Sequence, residues 1–333
     1  MSAMTVIGAG SWGTALAVHL ARSGRTVRLW ARNGQLVELM ARTRMNAEYL
    51  PGVMLPPEVT LVSSLSDAVA NAEFVVAAAP SHGLRDVMRA ASPFLSPDAV
   101  IVSATKGIEA GSLRRMSQVV SEETGGRLPV VVLSGPSFAS EVARGLPAAV
   151  LAASSDPVAA ARVQDQFRGP GLRLYVSDDV PGVEIGGALK NVIAIAAGAV
   201  EGLGLGHNAM AALITRGLAE ISRLACAEGG RRDTLAGLSG LGDLVLTCTG
   251  DLSRNRHVGL ELGRGRRLAD VLSELRMVAE GVRTTAAALE LGARHGIELP
   301  ITAQMAAVLD GRSSPREGVE SLMGRPQRAE LEA

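Results

Sequence analysis

Apolar residues follow two different rhythms along the chain. Through the first half they come as short runs rich in Val, Ile and Leu, at residues 4–7, 26–30, 59–62, 74–79, 100–103, 130–133, 149–153 and 173–176. Most are continuously apolar, as strands buried on both faces must be. Helical stretches at 13–23, 84–95 and 112–122 fill several of the gaps. Strand–helix–strand alternation predicts right-handed crossovers and a mainly parallel, doubly wound sheet.

Near Asp178 the rhythm changes. β-branched runs fade and long Ala/Leu-rich segments separated by glycine take over. Pro181 suits the first turn of a helix that runs to about Glu201, where Gly202, Gly204 and Gly206 stop it. Asn208 is placed to cap a second helix that reaches Glu228. Further helices are expected over 254–262, 268–274, 284–295 and 301–309, with a polar, frayed tail after Arg325. The fold class is therefore α/β, a doubly wound sheet over 1–180 followed by an all-α domain over 181–333.

Composition narrows the function classes. A length of 333 residues fits two domains, and 47% hydrophobic with 20% charged residues describes a globular chain with ample core. The 33 basic residues balance the 33 acidic ones, so no net field points to nucleic acid or an anionic membrane. The five histidines, His19, His82, His207, His257 and His295, are scattered without metal-ligand spacing, and no metal is expected. Cys226 and Cys248 form no CxxC motif and read as inert thiols of a reducing compartment. The first residues carry no basic region before their apolar run, which argues against a signal peptide. The most membrane-like stretch, residues 191–200, is too short to span a bilayer. A cytosolic protein is the expectation, and small-residue helix faces in its second domain serve either a homodimer or internal packing.

One bias matters more than these averages. Only two of the 33 basic residues are lysine, Lys106 and Lys190; the other 31 are arginine. Arginine cannot lose its proton near neutral pH, whereas a desolvated ammonium can. A position that must exchange a proton is one that arginine cannot fill.

The sequence Thr5-Val6-Ile7-Gly8-Ala9-Gly10-Ser11-Trp12-Gly13-Thr14 reads as a strand, a GxGxxG turn and a helix start. Gly8 permits the tight turn, Gly10 lets the backbone approach a pyrophosphate, and Gly13 allows close packing of helix on strand. An acidic residue at the end of the second strand would hold the ribose of NAD. The chain has Arg32 there, suited to the 2′-phosphate of NADP, so NADP(H) is preferred and NAD(H) remains open. Ligands of such sheets bind outside the carboxyl ends of the strands. Lys106 lies beyond one of those ends and Ser134-Gly135-Pro136-Ser137 beyond another, a turn with N–H groups and a hydroxyl for an oxyanion or phosphate. Lys190 lies on the first helix of the α domain, with Gly186, Gly187 and Ala194 as its helical neighbours. That bare face suits either close approach of a ligand to the amine or tight helix packing.

Gly8–Thr14, Ser134-Gly135-Pro136-Ser137-Phe138-Ala139 and Gly187-Ala188-Leu189-Lys190-Asn191 occur in the order and spacing of bacterial NAD(P)-dependent glycerol-3-phosphate dehydrogenases. So do Gly240-Leu241-Gly242-Asp243, Ser253-Arg254-Asn255 and Val278-Ala279-Glu280-Gly281, and together the motifs cover almost the whole chain. The resemblance implies an enzyme that interconverts dihydroxyacetone phosphate and sn-glycerol 3-phosphate and supplies phospholipid synthesis. It implies cofactor contacts at Ser11, Trp12, Arg32, Lys106, Ala139, Val278 and Glu280. It implies substrate contacts at Lys106, Gly135, Ser137, Asp243, Ser253, Arg254 and Asn255, with Arg254 touching both ligands and Lys190 as the proton acceptor. Lys106 then serves as a substrate donor and as the second ammonium that disfavours the charged form of Lys190. Asp243 either holds the terminal hydroxyl or pairs with Lys190. Two rivals are weaker. The 3-hydroxyacid and 6-phosphogluconate enzymes resemble Gly-x-x-x-Lys-x-x-Asn, but here Ile193 stands three residues after the lysine. A dinucleotide-sensing module with a Rossmann unit requires no lysine in the crevice.

Overall fold

The computed structural model describes residues 3–275, 278–327 and 329–330. Residues 328 and 331–333 of the polar tail lie outside them. The chain divides into two units. One comprises Met1–Lys106 with Arg114–Val180, the other Gly107–Leu113 with Pro181–Ala333.

The first unit is built on strands β1 (Ala3–Ile7), β2 (Thr26–Trp30), β3 (Val59–Val62), β4 (Phe74–Ala77), β5 (Val100–Ser103), β6 (Val130–Ser134), β7 (Ala148–Ala153) and β8 (Leu172–Ser177). They form one sheet in the order β3-β2-β1-β4-β5-β6-β7-β8. Every expected strand is present. All neighbours pair in parallel except β6 and β7, which are antiparallel. Between those two lies only the six-residue helix Ala139–Arg144. The alternation of side chains along each strand divides the apolar residues between two cores. Met4, Val6, Phe74, Val76, Val100 and Val102 belong to one, and Ile7, Val75, Ala77 and Ile101 to the other. Both faces of the central strands are thus buried, which is why their sequence reads as unbroken apolar runs.

Several boundaries differ from expectation, each for a local reason. β4 stops at Ala77, two residues early, because Thr105 Oγ1 donates to the carbonyls of Ala77 (3.2 Å) and Ala79 (2.7 Å) and holds the chain in a turn. The helix expected from residue 112 begins at Met116. Gly111 and Leu113 have positive φ (83° and 59°), and Ile108 and Leu113 are buried in the core of the second unit.

The second unit is helical. Its longest helix, Val180–Gly202, is buried almost throughout, as expected of a helix apolar on all sides. It is 23 residues long, much longer than the apolar stretch that sequence marked. Among the described residues it is the one helix long and apolar enough to cross a bilayer, and its apolar window is wholly buried inside the protein. The next helix, Gly206–Ala227, begins at a glycine with φ 80°, so Asn208 lies inside its first turn rather than at the cap. The helix expected from residue 284 starts four residues earlier, as Glu280–Arg294, with a carboxylate in its first turn where the helix dipole favours one.

Candidate functional site

In the first unit the strand order reverses at β1, which lies between β2 and β4. The glycine turn leaves β1 at this point. Gly8 has φ 113°, and a Cβ there would lie 2.8 Å from the Ala78 carbonyl oxygen, so only glycine lets the two turns touch. A Cβ on Gly13 would fall 1.9 Å from the Gly8 carbonyl oxygen, which closes the helix onto the turn. Gly10 is different. A Cβ there would meet nothing within 4 Å. Gly10 is also the N-cap of helix Ser11–Arg22 and has no side chain to cap it. An open cradle in front of a helix N-terminus fits the pyrophosphate of a dinucleotide.

The other sequence-marked residues of this unit fall into place around that turn. Ser11 and Trp12 open the helix, and Trp12 packs against the core. Ala139 opens helix Ala139–Arg144, which packs against helix Ser11–Arg22. Arg32 follows β2, is exposed, and brings a guanidinium nitrogen to within 3.6 Å of where a Gly83 Cβ would be. Lys106 Nζ donates to the Gly135 carbonyl oxygen at 3.3 Å, and Ser137 Oγ donates to the same oxygen at 3.1 Å. The loops after β5 and β6 are thereby joined.

In the second unit Lys190 is the centre. It is 7% exposed, on the buried helix Val180–Gly202. Its Nζ donates to Asp243 Oδ1 at 2.5 Å and to Thr247 Oγ1 at 2.8 Å. Of the two roles open to Asp243, the structure has it paired with the lysine. The carboxylate offsets the cost of burying an ammonium. Asp243 opens helix Asp243–Thr249 directly after a π-turn, Leu238–Gly242. The bare face beside Lys190 is filled by that turn, because a Cβ on Gly186 would lie 2.8 Å from the Ser239 carbonyl oxygen. Here the packing reading holds for Gly186. Close approach of the two backbones is what allows Asp243 and Thr247 to reach Nζ. Sequence reading missed Thr247, although its i+4 spacing from Asp243 was the available signal. Cys248 is also buried here, and desolvation pushes its thiol up to about 12, so it stays protonated.

Ser253 caps helix Arg254–Gly263, accepting from Arg256 N–H at 3.2 Å. Desolvation lowers the pKa of the Arg254 guanidinium, and the Glu280 carboxylate, the opposite charge, acts against that lowering. Asn255 is buried. Its Nδ2 donates to Asn191 Oδ1 at 3.0 Å, and its Oδ1 accepts from Gly281 N–H at 3.0 Å. The residue after Lys190 is thus tied to the first turn of helix Glu280–Arg294, with half-buried Val278 just before it. Among the described residues no group of three His, Cys, Asp or Glu side chains is placed to hold a metal.

A doubly wound sheet with a glycine turn at its switch point, joined to a helical unit with a buried, carboxylate-paired lysine, defines the class of two-unit nicotinamide-dependent dehydrogenases. Family models of NAD-dependent glycerol-3-phosphate dehydrogenase match the chain, the N-terminal model over residues 3–160 and the C-terminal model over 179–320. Glycerol-3-phosphate dehydrogenase [NAD(P)+] of Koribacter versatilis is 53% identical over 335 residues, covering 99% of each chain. That of Geobacter sulfurreducens is 53% identical over 98% of each. The crystal structure of glycerol-3-phosphate dehydrogenase from Coxiella burnetii superposes with a TM-score of 0.94 at 40% identity, covering 97% of this chain and 99% of that one. The chain belongs to the NAD-dependent glycerol-3-phosphate dehydrogenase family.

Proposed function

We propose that Lys190 is the acid–base of this NAD(P)-dependent enzyme, which interconverts dihydroxyacetone phosphate and sn-glycerol 3-phosphate. The observation that carries the assignment is the buried Nζ held by Asp243 and Thr247. Reduction of the ketone leaves an alkoxide at C2, and the Lys190 ammonium protonates it; in oxidation the amine takes the hydroxyl proton. The nicotinamide dinucleotide supplies or accepts the hydride. The first unit, with Gly8, Gly10, Ser11, Trp12, Gly13 and Ala139, holds the dinucleotide, and Arg32 gives preference to NADP(H) over NAD(H). Val278 and Glu280 are assigned to the dinucleotide as well.

Arg254 and Asn255 at a helix start, with Ser253, are the phosphate contacts we assign. Charge-assisted bonds of this kind are typically worth about 1.5–3 kcal/mol each, and binding energy at the phosphate serves to fix the reacting carbonyl. Lys106, Gly135 and Ser137 are assigned to the substrate as well. Since Asn255 already spans Asn191 and Gly281, only its second N–H is offered to the phosphate. We place the enzyme in the cytosol, supplying glycerol 3-phosphate to phospholipid synthesis, without nucleic-acid partners or membrane insertion. Balanced charge supports the first of these two exclusions, and burial of helix Val180–Gly202, the one of bilayer length among the described residues, the second.

A coupled assay with dihydroxyacetone phosphate and each reduced nucleotide in turn tests the reading. Oxidation is expected with both, at a higher kcat/KM for NADPH. No substrate-dependent oxidation with either nucleotide would overturn the assignment. A higher kcat/KM for NADH would remove the role given to Arg32.

A further inference from the structure

Between helix Gly34–Thr43 and β3 the chain makes an excursion that the sequence did not mark. Its two limbs are joined by an antiparallel bridge between Met45 and Met54 and by the bond from Leu55 N–H to the Arg44 carbonyl at 2.8 Å. Leu50, Val53 and Leu55 anchor it in the core that also takes in Leu16 and Ala17 of the glycine-turn helix. At its base sits Asn46, 0% exposed. Asn46 Nδ2 donates to the Ala9 carbonyl oxygen at 2.8 Å and to Thr14 Oγ1 at 2.8 Å. Its Oδ1 accepts from Tyr49 N–H at 3.1 Å and its backbone carbonyl from Leu50 N–H at 2.8 Å. Both side-chain donors are therefore engaged, and the amide has one orientation that satisfies all its partners.

Ala9 is the residue between the first two glycines of the turn. The chain has no cis peptide bond among the described residues, so the peptide joining Ala9 to Gly10 is trans, and its carbonyl and N–H point in opposite directions. By holding the Ala9 carbonyl on the protein side, Asn46 turns the Gly10 N–H away from the protein, at the residue where the surroundings are open. Its second bond, to Thr14, fastens the first turn of the helix to the same point; Thr14 N–H itself donates to the Gly10 carbonyl at 2.9 Å. We propose that Asn46 is a positioning residue for the dinucleotide: it fixes the orientation of the Gly10 N–H toward the pyrophosphate without touching the cofactor. The inference rests on the reading that the glycine turn holds the pyrophosphate.

Calorimetric titration of NADPH into the whole enzyme and into Asn46→Ala tests it. The Kd is expected to rise about tenfold, equivalent to about 1.4 kcal/mol, at unchanged stoichiometry. At saturating NADPH, kcat and the KM for dihydroxyacetone phosphate are expected within twofold of the parent. A purely structural role gives the converse, fewer binding sites per chain at an unchanged Kd. Should the alanine variant not fold, Asn46→Asp keeps the shape and sets an acceptor against the Ala9 carbonyl. Its affinity for NADPH is expected to be weak at pH 8 and partly restored near pH 5, where a protonated carboxyl regains a donor. A Kd within twofold of the parent in a folded variant, at both pH values for Asn46→Asp, overturns the proposal. Absence of NADPH and NADH binding by the unmodified enzyme instead overturns the reading on which it rests.

Discussion

Glycine serves opposite ends in the turn after β1 and in the helix packing of the second unit. In the glycine turn of the first unit, Gly8 and Gly13 draw backbone onto backbone, and the result is an opening: Gly10 faces no atom within 4 Å. In the helix packing of the second unit around Gly186 and Gly259 the space beside glycine is already taken. A Cβ on Gly259 would lie 1.8 Å from the Ile195 carbonyl oxygen, and one on Gly186 2.8 Å from that of Ser239. Close helix packing there brings Asp243 and Thr247 up to the buried amine of Lys190. Glycine leaves a space in the turn after β1, and beside Lys190 it lets two backbones close on the amine and its partners. Binding and proton transfer are thereby assigned to different parts of the chain, and substitutions ought to separate them.

The largest separation is expected from Lys190→Arg. Arginine keeps the charge and can still pair with Asp243, but it does not give up its proton near neutral pH. General acid–base catalysis typically contributes about 10²–10⁴-fold, so kcat is expected to fall by that order. The Kd for NADPH, set in our reading mainly by the first unit, is expected to stay within twofold. Stopped-flow or steady-state rates beside a calorimetric titration measure both. Near-normal turnover would take Lys190 out of the chemistry and leave its buried pair with Asp243 as a structural feature only.

A pair of glycine substitutions tests the comparison directly. Gly259→Ala forces a methyl group against the Ile195 carbonyl, and overpacking of this kind typically costs about 1–3 kcal/mol. In a domain of this size each kcal/mol lowers Tm by roughly 2–4 °C, so a loss of several degrees is expected, with the affinity of the remaining folded enzyme for NADPH unchanged. Gly10→Ala has the reverse signature. Its φ of −70° and ψ of −178° suit alanine and the methyl meets no protein atom, so Tm is expected to hold. The methyl does occupy the space left for the pyrophosphate, and the Kd for NADPH is expected to rise about tenfold or more, about 1.4 kcal/mol per decade. Equal effects of the two substitutions on both measurements would dissolve the distinction between an open and a filled glycine face.

What the sequence made legible was mostly what lies close along the chain. The strands of the first unit show because core strands such as β1, β4 and β5 are buried on both faces and carry mostly apolar residues over four or five consecutive positions. The glycine turn shows because its three glycines act within a single turn. The antiparallel placement of β7 was invisible, since a short apolar strand reads the same in either direction. Asn46 was missed for a related reason. Its partners, Ala9 and Thr14, lie 37 and 32 residues away, and an isolated asparagine in a polar loop carries no periodic or motif signal. Lys190 was conspicuous because lysine is so rare in this chain and because its helical neighbours are small. That its neighbouring glycine serves packing became apparent once the Ser239 carbonyl was seen opposite Gly186.

The smallest expected effect separates the units by pH. In the first unit His19 is buried and its Nε2 lies 2.7 Å from the Phe167 carbonyl oxygen; desolvation lowers its pKa from 6.5. In the second unit Glu220 accepts from Ile301 N–H at 2.5 Å, Thr302 N–H at 3.2 Å and Thr302 Oγ1 at 3.1 Å, and so caps helix Pro300–Leu309 from outside. Desolvation raises its pKa from 4.5 against the effect of those three bonds. The signs follow from which state binds the proton more tightly. Below 6.5 the unfolded chain takes up a proton at His19 that the folded chain refuses, so stability is lost as pH falls through that window. Above 4.5 the folded chain retains a proton at Glu220 that the unfolded chain has given up, so stability is lost as pH rises toward the raised value. Neutral variants isolate each contribution: the Tm advantage of the parent over His19→Gln is expected to shrink as pH falls below 6.5. Its difference from Glu220→Gln moves the other way, most favourable to the parent near 4.5 and declining as pH rises. Calorimetric scans between pH 4.5 and 7.5 would show the two opposed slopes. Slopes of the same sign would mean that the hydrogen bonds to Glu220 outweigh its burial, and that the capping carboxylate is held ionised after all.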